Sequence, residues 1–272
     1  MKLLEVKNIS IYDTQTKNGI IKDISFALEH HRNLGIVGES GSGKSMMIKG
    51  ILRLMAPGMN ASGAAYFEGE DMLKMSAKAI QNIRARHISM IPQDPMSAFD
   101  PLDTVGKQMM ETLCENLKIS KKEAKQISLH ELERVGIKEA SQVLRKYPHQ
   151  LSGGMLQRCM IAIAAASKPD IIIADEPTTA LDAITQSDVI ATFQRLHTQL
   201  GTTFIFISHD LGVIQQLAQD VLVMKDGKLV EYGGTGDVFH HSKNEYTKYL
   251  VDTRIKLTRS FEKLMREESC DA

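Results

Sequence analysis

Two hydrophobic rhythms run along this chain, and the switches between them outline its elements. Near the start, Leu4 and Val6 alternate with Leu3, Glu5 and Lys7, and Ile9-Ser10-Ile11-Tyr12 follows. That period of two predicts a half-exposed strand. Asn18-Gly19 signals a turn, with Ile20 to Leu28 as the antiparallel partner. Other runs are apolar without alternation: Leu34 to Val37, Asp170 to Ala174 after a Lys168-Pro169 break, and Thr203 to Ile207. Continuous apolar runs suit central parallel strands covered on both faces. Pro57-Gly58 opens a polar loop, and Ala64 to Glu68 is a strand closed by a tight Glu68-Gly69-Glu70 turn. His87 to Ile91 is another strand, ending at Pro92-Gln93-Asp94-Pro95, where two prolines are expected to stop any regular element. Val221 to Met224 and Lys228 to Val230 flank Asp226-Gly227 as a hairpin. Helical spacing appears after Met46, again from Ala183 to Leu200, and most extensively from Thr104 to about Leu144. There Val105, Met109, Leu113 and Leu117, then Leu129, Leu132 and Val135, keep the period until Gly136. Strand signals vanish across that stretch, so it reads as a helical subdomain inserted into a sheet domain. The tail after Glu231 is expected to be helical and charged.

Composition narrows the function classes. At 272 residues the chain holds one large domain or two modest ones. Lysine plus arginine and aspartate plus glutamate stand at 33 each, so no global field points to nucleic acid or anionic lipid. Cys114, Cys159 and Cys270 form no C-x-x-C pattern, which fits a reducing cytosol rather than a disulfide or zinc framework. Met1 to Val6 lacks the uninterrupted apolar core of a signal peptide. No apolar run approaches the roughly 20 residues needed to span a bilayer. Work at a membrane would require recruitment by another chain.

Candidate chemistry begins at Gly38-Glu39-Ser40-Gly41-Ser42-Gly43-Lys44-Ser45, between the Leu34–Val37 run and a helix start. In a G-x-x-x-x-G-K-S loop, glycines let successive N–H groups converge on a phosphate, and the helix dipole adds positive potential. Lys44 would reach the β- and γ-phosphates, and the Ser45 hydroxyl would help hold Mg²⁺. A plain glycine-rich turn with a chance lysine is the bland alternative, and the flanking elements count against it. Ile171-Ile172-Ile173-Ala174-Asp175-Glu176 ends a buried strand in two carboxylates. Asp175 would bind Mg²⁺ through its water shell and Glu176 would polarise an attacking water. Strands often end in acids, so this signal gains weight only beside the phosphate loop. Leu151-Ser152-Gly153-Gly154-Met155-Leu156-Gln157-Arg158 is a second glycine-containing helix start. It suits an anion, but on its own it is as well explained by a serine N-cap.

Together these residues resemble the nucleotide-binding subunit of ATP-binding cassette transporters, from about residue 3 to residue 250. Gly38 to Ser45 match the Walker A loop, Ile171 to Glu176 match Walker B with its catalytic glutamate, and Leu151 to Gln157 resemble the family signature. Gln93 falls at the Q-loop, Ala180-Leu181-Asp182 at the D-loop, and His209, in Ile207-Ser208-His209-Asp210, at the switch histidine. The resemblance implies an α/β fold of the P-loop NTPase, RecA-like kind: a mixed sheet, an antiparallel β subdomain and an inserted α-helical subdomain. It implies a nucleotide-binding domain over 1–250, with helices inserted at about 95–168, and a charged helical tail over 251–272. Glu176, His209 and Gln93 would be catalytic, and Ser45, Gln93 and Asp175 would hold Mg²⁺ with ATP. The cofactors implied are thus ATP and Mg²⁺. Ser152, Gly153, Gly154, Gln157 and Asp182 would serve ATP held by a second, paralogous ATP-binding subunit in a head-to-tail dimer. Two transmembrane permease subunits and an extracellular solute-binding protein complete the implied system, with this chain peripheral on the cytoplasmic face of the membrane and no nucleic-acid partner. One departure concerns adenine. The family's stacking aromatic aligns with Asp13, whereas this chain offers Tyr12, and a one-residue shift turns a strand side chain to the opposite face unless a bulge intervenes.

The run Ile91-Pro92-Gln93-Asp94-Pro95-Met96-Ser97-Ala98-Phe99-Asp100-Pro101, and the tail Glu245-Tyr246-Thr247-Lys248-Tyr249-Leu250, resemble the peptide, nickel and opine importers. Many peptide-importing members carry a C-terminal cysteine cluster, and this chain has only Cys270 there. The expectation is therefore import of nickel or a metal–metallophore complex, with oligopeptide or dipeptide import as the alternative. His30-His31 and His240-His241 are adjacent pairs without ligand spacing and read as surface residues. Leu257, Phe261, Leu264 and Met265 suggest an amphipathic tail helix packed on its own domain. From another class, a soluble cassette ATPase acting on DNA or ribosomes would join two cassettes or carry a coiled-coil insertion, and neither is visible. A P-loop kinase or G protein is opposed by Ser152-Gly153-Gly154.

Overall fold

A computed structural model describes residues 2–253 except Ala180. The first hairpin pairs β1 (Lys2–Asp13) with β2 (Gly19–Glu29), as the period-two pattern predicts. Strand β3 (Leu34–Val37) feeds the phosphate loop and α1 (Lys44–Ile51). Strands β4 (Met59–Phe67) and β5 (Glu70–Asp71) follow, then α2 (Ala77–Arg86), β6 (Ile88–Ile91) and the single turn α3 (Pro95–Ala98). Helices α4 (Val105–Leu117), α5 (Lys121–Arg134), α6 (Ala140–Val143) and α7 (Gly153–Ala166) form the helical stretch. The chain then alternates through β7 (Ile171–Asp175), α8 (Ala183–Leu200), β8 (Thr203–Ile207), α9 (Leu211–Leu217) and β9 (Asp220–Lys225). It continues with β10 (Lys228–Gly234), α10 (Thr235–His241) and a helical segment at residues 245–253. The tail expected over 251–272 lies outside the described residues beyond 253, as do Leu257, Phe261, Leu264, Met265 and Cys270.

Two sheets organise these elements. The antiparallel sheet has the order β2-β1-β4-β5, and the larger sheet the order β10-β9-β3-β8-β7-β6. In the larger sheet β9, β3, β8, β7 and β6 are mutually parallel and only β10 runs against its neighbour. Every residue of β3, β7 and β8 is buried, as their unbroken apolar runs require. Alternation persists inside these strands, but it sorts residues between two cores. Ile36, Ile173, Ile205 and Leu222 face α1 and the antiparallel sheet, whereas Val37, Ile172, Phe204 and Val223 face the helices.

Three local differences from the sequence pattern have physical reasons. Met59 to Ser62, expected as polar loop, extend β4 because they pair with Asp13 back to Ser10. Gly63, at φ +99, carries the register shift there: a Cβ on it would sit 2.4 Å from the Asn8 carbonyl. The Pro92–Pro95 segment does not exclude helix, since Pro95 opens α3 at the position where a missing N–H costs nothing, and Asp94 caps it. Helix α2 buries only Ile80. With only Ile80 and the half-buried Ile83 packed on the core it shows a short stripe, and it is also held by its Ser76 cap and by Arg84 donating to the Leu52 and Arg53 carbonyls.

Candidate active site

Four neighbouring parallel strands deliver their carboxyl ends to one cleft: β3 leads to the phosphate loop, β8 to His209, β7 to Asp175 and Glu176, and β6 to Gln93. This end of an open α/β sheet is where the topology leaves a crevice for ligands. The cleft measures about 870 Å³ and is lined by Gly38 to Gly41, Gly43 to Met46, Gln93, Glu176 and His209, with Ile20, Leu211 and Tyr249 at its margins. That is the volume range of small-molecule sites.

The loop is shaped for an anion. Gly38, at φ +150, passes so close to β9 that a Cβ would fall 2.2 Å from the Met224 carbonyl. Gly43 starts α1 in the left-handed region at φ 99 without any side-chain cap, so the first N–H groups of the helix have no side chain to satisfy them. The Ser42 hydroxyl is buried with no hydrogen-bond partner. Buried orphans of this kind call for a ligand atom. Lys44 is buried beside them, its Nζ donating to the Gly38 and Glu39 carbonyls at 2.9 Å each. Burial depresses its pKa, while the charges of Glu176 and Asp175 oppose that fall. The residues present therefore fit a polyphosphate.

They also fit a hard cation beside it. Ser45 Oγ donates to Asp175 Oδ1 at 2.9 Å. Burial raises the Asp175 pKa, and Glu176 adds to the rise against the Ser45 hydroxyl and the Lys49 and Lys44 charges. Among the described residues no three His, Cys, Asp or Glu side chains gather into a metal cage. An oxygen pair of this type suits Mg²⁺ brought in with phosphate oxygens rather than a cation held by protein alone.

Glu176 is the most constrained residue in the cleft. Its backbone sits at φ 48, a left-handed conformation that costs a non-glycine residue about 1 kcal/mol or more, and its N–H is held by the Ile207 carbonyl at 2.8 Å. Its Oε2 accepts from the Thr179 hydroxyl at 3.1 Å and lies 2.8 Å from Nδ1 of His209. The carboxylate is thus aimed from two sides, one of them the half-exposed imidazole.

Other expected residues are placed differently. Gln93 is exposed on the cleft wall. Tyr12 is not brought there: its hydroxyl accepts from Asn60 Nδ2 at 3.2 Å, and Ile20 is the antiparallel sheet's residue in the cleft. The aligned Asp13 closes its own turn, accepting from the N–H groups of Gln15 and Thr16, whose bonds hold its pKa low. Ser152 caps α7, its hydroxyl accepting from the Met155 N–H at 3.3 Å, and both Ser152 and Gly153 are exposed. Gly154 is buried against α8, where a Cβ would meet Thr185 Cγ2 at 2.3 Å. Gln157 differs from expectation: it is only 2% exposed, turned inward from α7, with its Nε2 buried and without a hydrogen-bond partner. Asp182 caps α8 through the N–H groups of Ile184 and Thr185, and the Thr185 hydroxyl bond is the main cause of its lowered pKa. Ala180 lies outside the described residues. His31, His240 and His241 are exposed, as adjacent pairs suggest. Thr179, Ile20 and Tyr249 escaped sequence reading. Thr179 alone left a trace, as a hydroxyl three residues after Glu176.

The ABC transporter family model matches residues 21–179. The metal-staphylopine import system ATP-binding protein CntD of Staphylococcus aureus is 43% identical over the whole of both chains. The oligopeptide transport ATP-binding protein OppD of Bacillus subtilis is 42% identical over 96% of this chain and 74% of its own length. An ATP-binding cassette solved as a post-hydrolysis dimer with ADP and phosphate superposes with a TM-score of 0.74 at 27% identity, covering 85% of this chain and 98% of that one.

Proposed function

The chain belongs to the ATP-binding cassette transporter family, as an ATP-hydrolysing subunit of the importer kind, and on that basis we propose that it drives uptake of a metal–metallophore complex. The observation that carries the substrate class is the 43% identity to a metal-staphylopine import protein along the whole of both chains. The peptide-importer relatives make oligopeptide or dipeptide uptake the second reading.

ATP would lie in the cleft with its phosphates against Gly38 to Ser45. Lys44 and the N–H groups opening α1 would hold the β- and γ-phosphates. Ser45 and Asp175, with Gln93 at the rim, would hold Mg²⁺, which when bound supplies positive charge to the phosphate oxygens. Glu176 would orient a water and accept its proton as the water attacks the terminal phosphorus and the bond from that phosphorus to the β–γ bridging oxygen breaks, releasing ADP and phosphate. His209, 2.8 Å away, fixes the carboxylate's direction. Ser152 and Gly153 are exposed at the start of α7 and line no part of this chain's own cleft. They would close over the nucleotide of a second cassette, with Asp182 at the same interface. The dimeric neighbour supports that arrangement. The assembly would work at the cytoplasmic face of the membrane through separate permeases and a solute-binding protein; among the described residues no helix is long and apolar enough to cross a membrane.

The test is uptake after deletion of the coding sequence. Accumulation of metal supplied with a metallophore should fall severalfold, while growth on dipeptides as sole source of a required amino acid should be kept. The opposite pattern would make this a peptide importer.

A further inference from the structure

The helical segment at residues 245–253 reaches the phosphate loop from the far end of the chain. Glu231 on β10 anchors its approach, accepting from the Ser242 hydroxyl at 2.5 Å and the Lys243 N–H at 3.1 Å. The Asn244 side chain then accepts the Tyr246 N–H at 2.9 Å, which fixes the entry of the helix. Tyr246 packs on the main core, with Lys225 Nζ 4.6 Å from its ring centroid. Its hydroxyl extends past the core and accepts the Glu39 N–H at 3.3 Å.

That N–H belongs to a particular amide. The peptide joining Gly38 to Glu39 has its donor end on Tyr246, and its acceptor end, the Gly38 carbonyl, receives Lys44 Nζ at 2.9 Å. Because a peptide unit is planar, fixing one end fixes the other. Gly38 adds no stiffness of its own, since it occupies a φ open to glycine. We propose that Tyr246 is a positioning residue for Lys44: gripping the N–H end of the Gly38–Glu39 amide, it orients the carbonyl that carries the lysine ammonium toward the phosphates. A clamp on this loop therefore comes from the segment after β10, outside the strands that build the cleft. This inference rests on the cleft being the ATP site.

The test is calorimetric titration of the full-length chain with ATP and Mg²⁺, comparing wild type, Tyr246→Phe and Lys44→Ala. Phenylalanine keeps the ring against Lys225 and the core and removes only the hydroxyl. Tyr246→Phe should weaken ATP binding about three- to fivefold, because binding must then order the Gly38–Glu39 amide that the hydroxyl had held, a fraction of the cost of fixing one residue's backbone, with an unchanged melting midpoint in the absence of nucleotide. Unchanged affinity in Tyr246→Phe would overturn the inference. So would a loss of affinity matched by a lowered nucleotide-free midpoint, because the contact would then merely support the fold. If wild type failed to bind, or Lys44→Ala bound as tightly as wild type, the reading of the cleft itself would fail, whatever Tyr246→Phe did.

Discussion

The helix starts of α1 and α7 are both built from serine and glycine, yet their surroundings are opposite. At α1 the N-cap glycine offers no side chain, Ser42 is buried without a partner, and polar residues from three further strand ends, Gln93, Glu176 and His209, face the same space. At α7 the Ser152 hydroxyl satisfies the Met155 N–H, and Gly154 is explained by contact with Thr185 on α8. The first start is incomplete in its own chain and so identifies a binding site within one molecule. The second is capped and exposed at its first turn, although Gln157 Nε2 and Arg158 Nε just beyond are buried without partners. An uncapped start that faces converging strand ends can thus be recognised within one chain. Under the proposed function, the capped, exposed start of α7 is the half that needs an assembly.

The largest test of this contrast is Glu176→Gln. The amide preserves shape and can still bond Thr179, but it cannot take a proton from water. Steady-state hydrolysis by the assembled transporter should fall by about two orders of magnitude or more. ATP affinity measured by titration should stay within the range of wild type, because Glu176 is placed to act on water rather than on the phosphate cradle. Retained hydrolysis would remove Glu176 from its assigned role and leave the cleft without its base.

A smaller effect bears on α7. Ser152→Asp keeps a good N-cap, since aspartate accepts the same N–H bond, so melting of the isolated chain should not change. A carboxylate facing a partner's phosphates would oppose closure, and hydrolysis by the assembled transporter should drop by about tenfold or more, with ATP binding by the isolated chain unaffected. Equal hydrolysis in the variant and wild type would mean that this helix start is only a cap.

Much of this contrast can be read in the residues, for reasons that also set the limit. The parallel strands announce themselves because β3, β7 and β8 are buried on both faces, and α8 spans Ala183–Leu200 as its spacing requires. Asp175, Glu176 and His209 sit at or just past strand ends, and Lys44 and Ser45 open the helix that follows β3, so locating the strands locates them. Gln157 could not be judged that way. Its neighbours Leu156 and Arg158 lie on either side of a helix, and only packing shows that the glutamine faces inward. Tyr246 was equally illegible, because its partner Glu39 is 207 positions away and the bond runs to a backbone N–H that any residue would offer. Contacts to main chain leave no trace in side-chain chemistry.

The smallest predicted effect concerns the adenine end, where the antiparallel sheet meets the cleft. Tyr12 has the aromatic character that stacking needs, but its hydroxyl is bonded to Asn60 on β4 and the residue lines no part of the cleft. Ile20, 36% exposed at the start of β2, does line it. Against β4 the pairing of Tyr12 with Asn60 is regular, whereas against β2 the register shifts between Ile11 and Tyr12, and even with that irregularity Tyr12 is not brought to the cleft. Tyr12→Ala should therefore leave ATP affinity within about twofold of wild type. Ile20→Ala removes apolar surface next to the nucleotide and should weaken binding by about threefold, less than the full burial of such a side chain is worth. Titration of both variants with ATP and with GTP separates contact from specificity. A tenfold loss in Tyr12→Ala with Ile20→Ala silent would reverse the assignment and require the strand edge to rearrange when nucleotide binds.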